Sequence, residues 1–297
     1  MPRRAALLIL IFATACQASP EAPEEVAPSL PVDSPAVIEG RVAAADDVPI
    51  AYSVEGEGEV AVVLIHGWAC DRSYWRAQIE PLIAGYKVVS VDLPGHGSSG
   101  LDREQWTLPA FGADVQAVVG DLGLEKVVLI GHSMGGPVAL EAARRLGSVA
   151  VGVIAVDALH DVSVRPDPEQ WLRLMESYET DFAGTCDQFV RSMFLETADP
   201  ELIESTAHDM CDGPADVATA LMAQFGDYDM AAALAEAATP VRAINSAVYP
   251  TNLEGNRTVA ADFDVRVLEG VGHFPMLVTP EALNRHLLEV LAELTAS

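Results

Sequence analysis

Short apolar runs alternate with longer stretches of helical periodicity along most of this chain. Residues 36–44 and 50–54 read as two strands of a hairpin, with Asp46-Asp47 near the turn. Residues 60–66 form an apolar run of strand length, followed by a helical pattern over 73–84. The alternation then repeats as strand 87–92, helix 108–122, strand 126–131, helix 136–146 and strand 151–157. Further on come strands 241–245 and 264–268 and a closing helix 280–294 that starts at a proline. Strands that are apolar throughout, separated by helices, predict an α/β fold, a mostly parallel sheet of about eight strands with helices on both faces. The leading hairpin is expected to be antiparallel and the remainder parallel.

Residues 160–239 break this rhythm. They contain no clear strand, and helical patterns cover 171–178, 186–195, 200–209 and 215–225. So long a helical stretch between two sheet strands predicts a helical cap inserted between strands 6 and 7, over the strand C-termini where open α/β sheets place their sites. The core is then expected in two parts, 36–159 and 240–297.

The first 35 residues read as an address. Arg3 and Arg4 precede an apolar run too short to span a membrane, which fits a signal peptide over 1–15. Ala13-Thr14-Ala15-Cys16 resembles a bacterial lipobox, with Ala13 where that motif usually has Leu. Cys16 is therefore expected to carry lipid and anchor an exported protein in the cell envelope; simple cleavage after Ala15 is the alternative. Residues 16–35 are rich in Pro and Glu without a cation, the composition of an extended tether.

The chain is 297 residues long and 50% hydrophobic, enough for a substantial core. Its formal net charge is −27, with no basic stripe to meet phosphates, so nucleic acid is excluded as a partner. Export makes a bridge between Cys186 and Cys211 in the cap plausible, the alternative being two separate buried thiols. Cys70 reads as a packed thiol. No metal-ligand spacing or nucleotide loop occurs, so neither metal nor cofactor is expected.

The strongest chemical signal is Gly131-His132-Ser133-Met134-Gly135, a G-x-S-x-G between a predicted strand and a predicted helix. A serine on that sharp turn presents its hydroxyl to solvent, while the next backbone N–H points at the same space from a helix N-terminus. With this elbow, the chain resembles the α/β-hydrolase superfamily from about Val48 onward. Leu64-Ile65-His66-Gly67-Trp68 resembles its oxyanion loop, Asp92-Leu93-Pro94-Gly95-His96-Gly97 the turn after its fourth strand, and Gly270-Val271-Gly272-His273-Phe274-Pro275 the loop of its catalytic histidine.

The resemblance implies an eight-stranded hydrolase sheet, Ser133 as nucleophile and His273 as base, in the order Ser…acid…His. Met134 and Trp68 are the candidate backbone donors to the oxyanion. His66, His96 and His132 are expected to orient loops; His160 and His208 fall at the edge of and inside the cap. The implied activity is cofactor-free cleavage of a small acyl substrate, by default a carboxylic ester, through a Ser-His-Asp triad. Lactones, amino-terminal peptides and carbon–carbon bonds share this constellation, and a non-catalytic hydrolase-fold binding protein is the rival reading. Few cations in the cap (Arg165, Arg173, Arg191) favour neutral, apolar substrates.

The acid departs from the family's commonest pattern. D-x-x-P after the penultimate strand is replaced by Ala247-Val248-Tyr249-Pro250. A second location used in the family, the end of the strand before the cap, holds Asp157. Asp157 is the candidate acid, its alternative role being to cap the first turn of the cap; Asp161 and Glu254 are the other carboxylates in range.

Overall fold

The computed structural model describes residues 36–296; the expected leader, Cys16 and the tether lie outside them. Eight strands form one sheet: β1 (Ile38–Ala43), β2 (Pro49–Glu55), β3 (Ala61–Ile65), β4 (Lys87–Val91), β5 (Val127–His132), β6 (Ala150–Val156), β7 (Val241–Ser246) and β8 (Phe263–Leu268). Their spatial order is β1-β2-β4-β3-β5-β6-β7-β8. As the hairpin pattern predicts, β1 pairs antiparallel with β2 and β2 with β4, and every later pairing is parallel. All positions of β3 and β5 are buried, because helices cover both faces at the middle of the sheet.

On one face α1 (Arg76–Ile83) packs against α11 (Pro280–Thr295); on the other, α2 (Leu108–Asp121) packs along α3 (Gly135–Leu146). Between β6 and β7 come α4 (Pro168–Thr180), α5 (Phe182–Ser192), α6 (Pro200–Cys211), α7 (Ala215–Asp227) and α8 (Met230–Glu236). Of these, α8 returns to the core and packs on α3. A disulfide joins Cys186 of α5 to Cys211 at the end of α6. Part of the acid surplus sits at helix N-termini, where Asp167, Asp181, Asp199 and Asp229 accept backbone N–H groups and complement the helix dipole.

Several boundaries differ from the pattern-based expectation for local reasons. The helix expected from 73 opens as a 3-10 turn, Arg72–Trp75, because Asp71 accepts the Ser73 N–H at 2.7 Å. The helix expected from 186 starts at Phe182, where Asp181 caps Gly184 at 3.0 Å. Three short helices carry no periodic signal: α8, α9 (Leu253–Val259) and α10 (Pro275–Val278).

Candidate active site

The elbow is built by close packing. Ser133 has φ +52°, a left-handed conformation that a non-glycine residue adopts only when its surroundings impose it. Its N–H donates to the Val156 carbonyl on β6 at 3.0 Å, and its own carbonyl accepts from Gly136 at 2.9 Å. A side chain at Gly131 would overlap the Gly135 carbonyl, so strand and helix can cross here only because that position is a glycine.

Asp157 immediately follows β6. It too is left-handed, at φ +45°, a conformation that Asp tolerates better than most residues. Its N–H donates to the Ile244 carbonyl of β7 at 2.9 Å, and its side chain is buried. Oδ2 accepts from Nδ1 of His273 at 2.6 Å, and Oδ1 accepts the Ser246 N–H at 2.7 Å. His160 Nε2 approaches Oδ1 at 3.5 Å and has no better partner. Burial alone raises the Asp157 pKa; the His160 and His273 imidazoles and the Ser246 N–H outweigh it and hold the carboxyl well below the ordinary carboxylate range. Two buried asparagines pin the turn beyond it: Asn245 Oδ1 accepts the Ala158 N–H at 3.1 Å, and Asn256 Oδ1 accepts that of Val162 at 3.1 Å.

His273 lies between β8 and α10. The Met193 carbonyl of the cap accepts its N–H at 2.9 Å, and its carbonyl accepts from His132 Nε2 at 2.8 Å. Donation from Nδ1 to an ionised Asp157 leaves the lone pair on Nε2, and Ser133 and His273 line the same cavity. Burial lowers the pKa of His66 to about 4 and those of His96 and His132 to about 3, so these three are neutral hydrogen-bonding groups. His66 bonds Gly67 and Leu93, and His96 bonds Pro94, in keeping with loop orientation. His208 is exposed on α6.

A methyl group at Gly67 would lie 3.3 Å from Ser133 Cβ, so the loop that leads into Trp68 passes beside the serine. Among the described residues, neither that N–H nor that of Met134 is taken up in a hydrogen bond. The Trp68 indole donates to the Ala218 carbonyl of α7 at 2.7 Å, tying this loop to the cap. The cavity has a volume of about 320 Å³, and Trp68, Trp171, Phe189, Met193, Met222 and Phe225 give it an apolar wall.

The other candidate acids lie elsewhere. Asp161 is held by Ser163 and Asn252, Glu254 is exposed on α9, and Ala247 is exposed beyond β7. Cys70 is a free, buried thiol whose pKa burial pushes up. Among the described residues no His, Cys, Asp and Glu cluster is arranged to hold a metal ion. The approach of His160 to Asp157 has no counterpart in the sequence patterns; it arises from the left-handed turn through Asp157 and Leu159, which has no periodic signature.

A model of the alpha/beta hydrolase family matches residues 62–286. Over 110 residues the chain is 36% identical to the dihydrolipoyllysine-residue acetyltransferase component of an acetoin cleaving system from Cupriavidus necator, covering 36% of this chain and 29% of that protein. It is 24% identical over 250 residues to the Karrikin insensitive 2 receptor CA of Petunia hybrida, covering 78% of this chain and 92% of the receptor. A solved thermophilic esterase from Thermogutta terrifontis superposes with a TM-score of 0.72 at 26% identity, over 86% of this chain and 99% of the esterase.

Proposed function

The chain belongs to the alpha/beta hydrolase family, and on that premise we propose that it is a serine hydrolase that cleaves carboxylic esters through Ser133, His273 and Asp157. The observation that carries this reading is the 2.6 Å contact of His273 Nδ1 with a buried carboxylate, while the same imidazole shares a cavity with a serine on a left-handed turn.

In the first half-reaction Ser133 Oγ attacks the ester carbonyl carbon as His273 Nε2 takes the hydroxyl proton. The carbonyl oxygen, now negative, accepts the Met134 and Trp68 N–H groups. Asp157 fixes the imidazole tautomer and stabilises the imidazolium, which then protonates the departing alcohol as the carbon–oxygen bond breaks. Water attacks the acyl-enzyme with His273 again as base, releasing the carboxylic acid and restoring the Ser133 hydroxyl. The aromatic and methionine wall suits an apolar group next to the scissile bond.

Labelling by a fluorophosphonate probe together with turnover of an ester panel tests this. Ser133→Ala is expected to lose both with its thermal unfolding unchanged, and ester hydrolysis that persists in the variant refutes it. The petunia relative is a receptor by name; a receptor-like role here predicts labelling of Ser133 without sustained turnover.

We further propose an exported protein tethered to a membrane through lipid on Cys16, on the strength of the lipobox-like sequence and the Pro- and Glu-rich stretch after it. Wild type is expected to need detergent for extraction and Cys16→Ser to be released without it. Equal release of the two proteins refutes the anchor.

A further inference from the structure

Residues 193–195, just past the end of α5, lie against the loop that carries His273, and three different contacts join the two segments. The Met193 carbonyl accepts the His273 N–H at 2.9 Å. Gly272, one residue earlier, leaves no room between them: a Cβ there would collide with the Met193 carbonyl oxygen and stand 3.3 Å from Phe194 Cα. Gly272 does not have a positive φ, so contact with this segment, rather than backbone conformation, is what keeps a side chain out. The third contact is aromatic. The Phe194 ring stacks on Phe274 with centroids 5.0 Å apart and planes 25° apart, and Phe274 in turn meets the His273 ring edge to face at 5.2 Å.

The segment is itself restrained. The Cys186–Cys211 disulfide joins α5 to α6, and Arg191 in the last turn of α5 pairs with Glu204 of α6 at 2.7 Å, which limits how far the end of α5 can shift alone. Met193 and Phe274 line the catalytic cavity, whereas Phe194 does not. A change at Phe194 therefore reaches the chemistry through Phe274 and His273, not by contact with substrate.

We propose that residues 193–195 set the position of the base, with Phe194 as a positioning residue that holds Phe274 and, through it, the His273 imidazole. The proposal rests on the serine-hydrolase reading and gives the cap a role beyond covering the cavity. His273 is held from both sides, its N–H by the cap at Met193 and its carbonyl by the core at His132, at 2.9 and 2.8 Å. The end of α5 cannot lift from the core without breaking one of these bonds. Seating of this part of the cap and alignment of the base are then a single event. Alignment matters at this scale, because a misplacement of about 1 Å can cost about a hundredfold in rate.

The test is a kinetic and spectroscopic series on the full chain. The substrate is an acetate ester, whose small acyl group makes little use of the cavity wall. Phe194→Ala is expected to lower kcat and kcat/KM together by about tenfold to a hundredfold, the pattern of an interaction lost only in the transition state. In protein carrying isotope-labelled histidine, the imidazole resonances of His273 are expected to shift in the same variant. Phe194→Leu, which keeps an apolar contact with Phe274, should recover most of both, and Gly272→Ala should repeat the Phe194→Ala pattern. Leu172→Ala, at an exposed position of α4, is the control and moves neither. A folded Phe194→Ala protein with unchanged kcat and unmoved His273 resonances overturns the proposal. A rise in KM alone also overturns it, since the segment would then only shape the pocket, and so does an equal fall in Leu172→Ala, which assigns the effect to cap stability. If Phe194→Ala does not fold, Phe194→Leu and Gly272→Ala decide by the same two readouts. If wild type cleaves no ester, the hydrolase reading fails, and the His273 resonances alone decide whether Phe194 positions that imidazole.

Discussion

Replacing Asp157 by Asn keeps the volume of the side chain and removes its charge, and the surrounding hydrogen bonds dictate how the new amide must sit. The Ser246 N–H needs an acceptor and is met at 2.7 Å by Oδ1, so the Asn carbonyl oxygen takes that position. The amide nitrogen then occupies the place of Oδ2, 2.6 Å from His273 Nδ1. Two N–H donors cannot face each other there, so His273 moves its proton to Nε2 and loses the lone pair that would accept the Ser133 proton. The imidazolium formed in the transition state also loses its counter-charge. Unit charges about 4 Å apart at an effective dielectric of about 20 interact by about 4 kcal/mol, or about a thousandfold in rate. With the wrong tautomer added, kcat is expected to fall by about a thousandfold to ten-thousandfold, with KM little changed.

Steady-state hydrolysis of the best ester of the panel, with thermal unfolding as the check on folding, measures this. His160→Gln in parallel leaves the Nδ1 contact in place and is expected to lower kcat by no more than about tenfold, since the lost approach to Oδ1 is long and poorly aligned. The charge also has a signature in stability. The folded-state pKa of Asp157 lies below the unfolded value of about 3.9, so its contribution is fully present above that pH and is lost as pH falls toward the folded-state value. Wild type should therefore lose more stability than Asp157→Asn between neutral pH and about pH 3. Near-normal kcat in a folded Asp157→Asn protein refutes the assignment of this carboxylate.

Two further predictions concern the frame around the site. Gly131→Ala drives a methyl group into the Gly135 carbonyl and is expected to abolish soluble folded protein, whereas Gly120→Ala, at an exposed position of α2 with nothing within 4 Å, should stabilise by about 0.8 kcal/mol in denaturant unfolding. Reduction of the Cys186–Cys211 bridge, which closes a loop with a sequence separation of 25, should destabilise the cap by about 3.5 kcal/mol, read as earlier proteolytic cutting within α5 and α6 under reducing conditions.

The sheet was legible because its central strands are buried on both faces and can be written only in apolar residues, as in Val62-Val63-Leu64-Ile65 and Val127-Val128-Leu129-Ile130. Ser133 and His273 stood out as candidates because each stands in a motif shaped by backbone geometry. The short helices were not. α9 has a single buried residue, Asn256, whose job is to hold the turn after Asp157, so it shows no apolar stripe.

The position of the proposed acid has a geometric explanation. The loop bearing His273 is fixed without it, by the Met193 carbonyl on the cap side and by His132 on the core side. A carboxylate therefore has only to arrive under Nδ1, and the ends of β6 and β7 are both near enough, since Ser246 at the end of β7 donates directly to the Asp157 carboxylate. β6 is also the strand paired with β5, which carries Ser133 at its end. An acid at Asp157 rather than at position 247 sits one strand over, and the loop after β7 then supplies a donor to it, the Ser246 N–H. On the proposed assignment, Ala247 in that loop costs the triad nothing. On this geometry, Asp157→Asn combined with Ala247→Asp should recover part of the lost kcat, because a carboxylate after β7 can approach the same imidazole nitrogen. No recovery at all would mean that the loop after β7 has drifted out of reach and that Asp157 is the sole position from which this imidazole can be served.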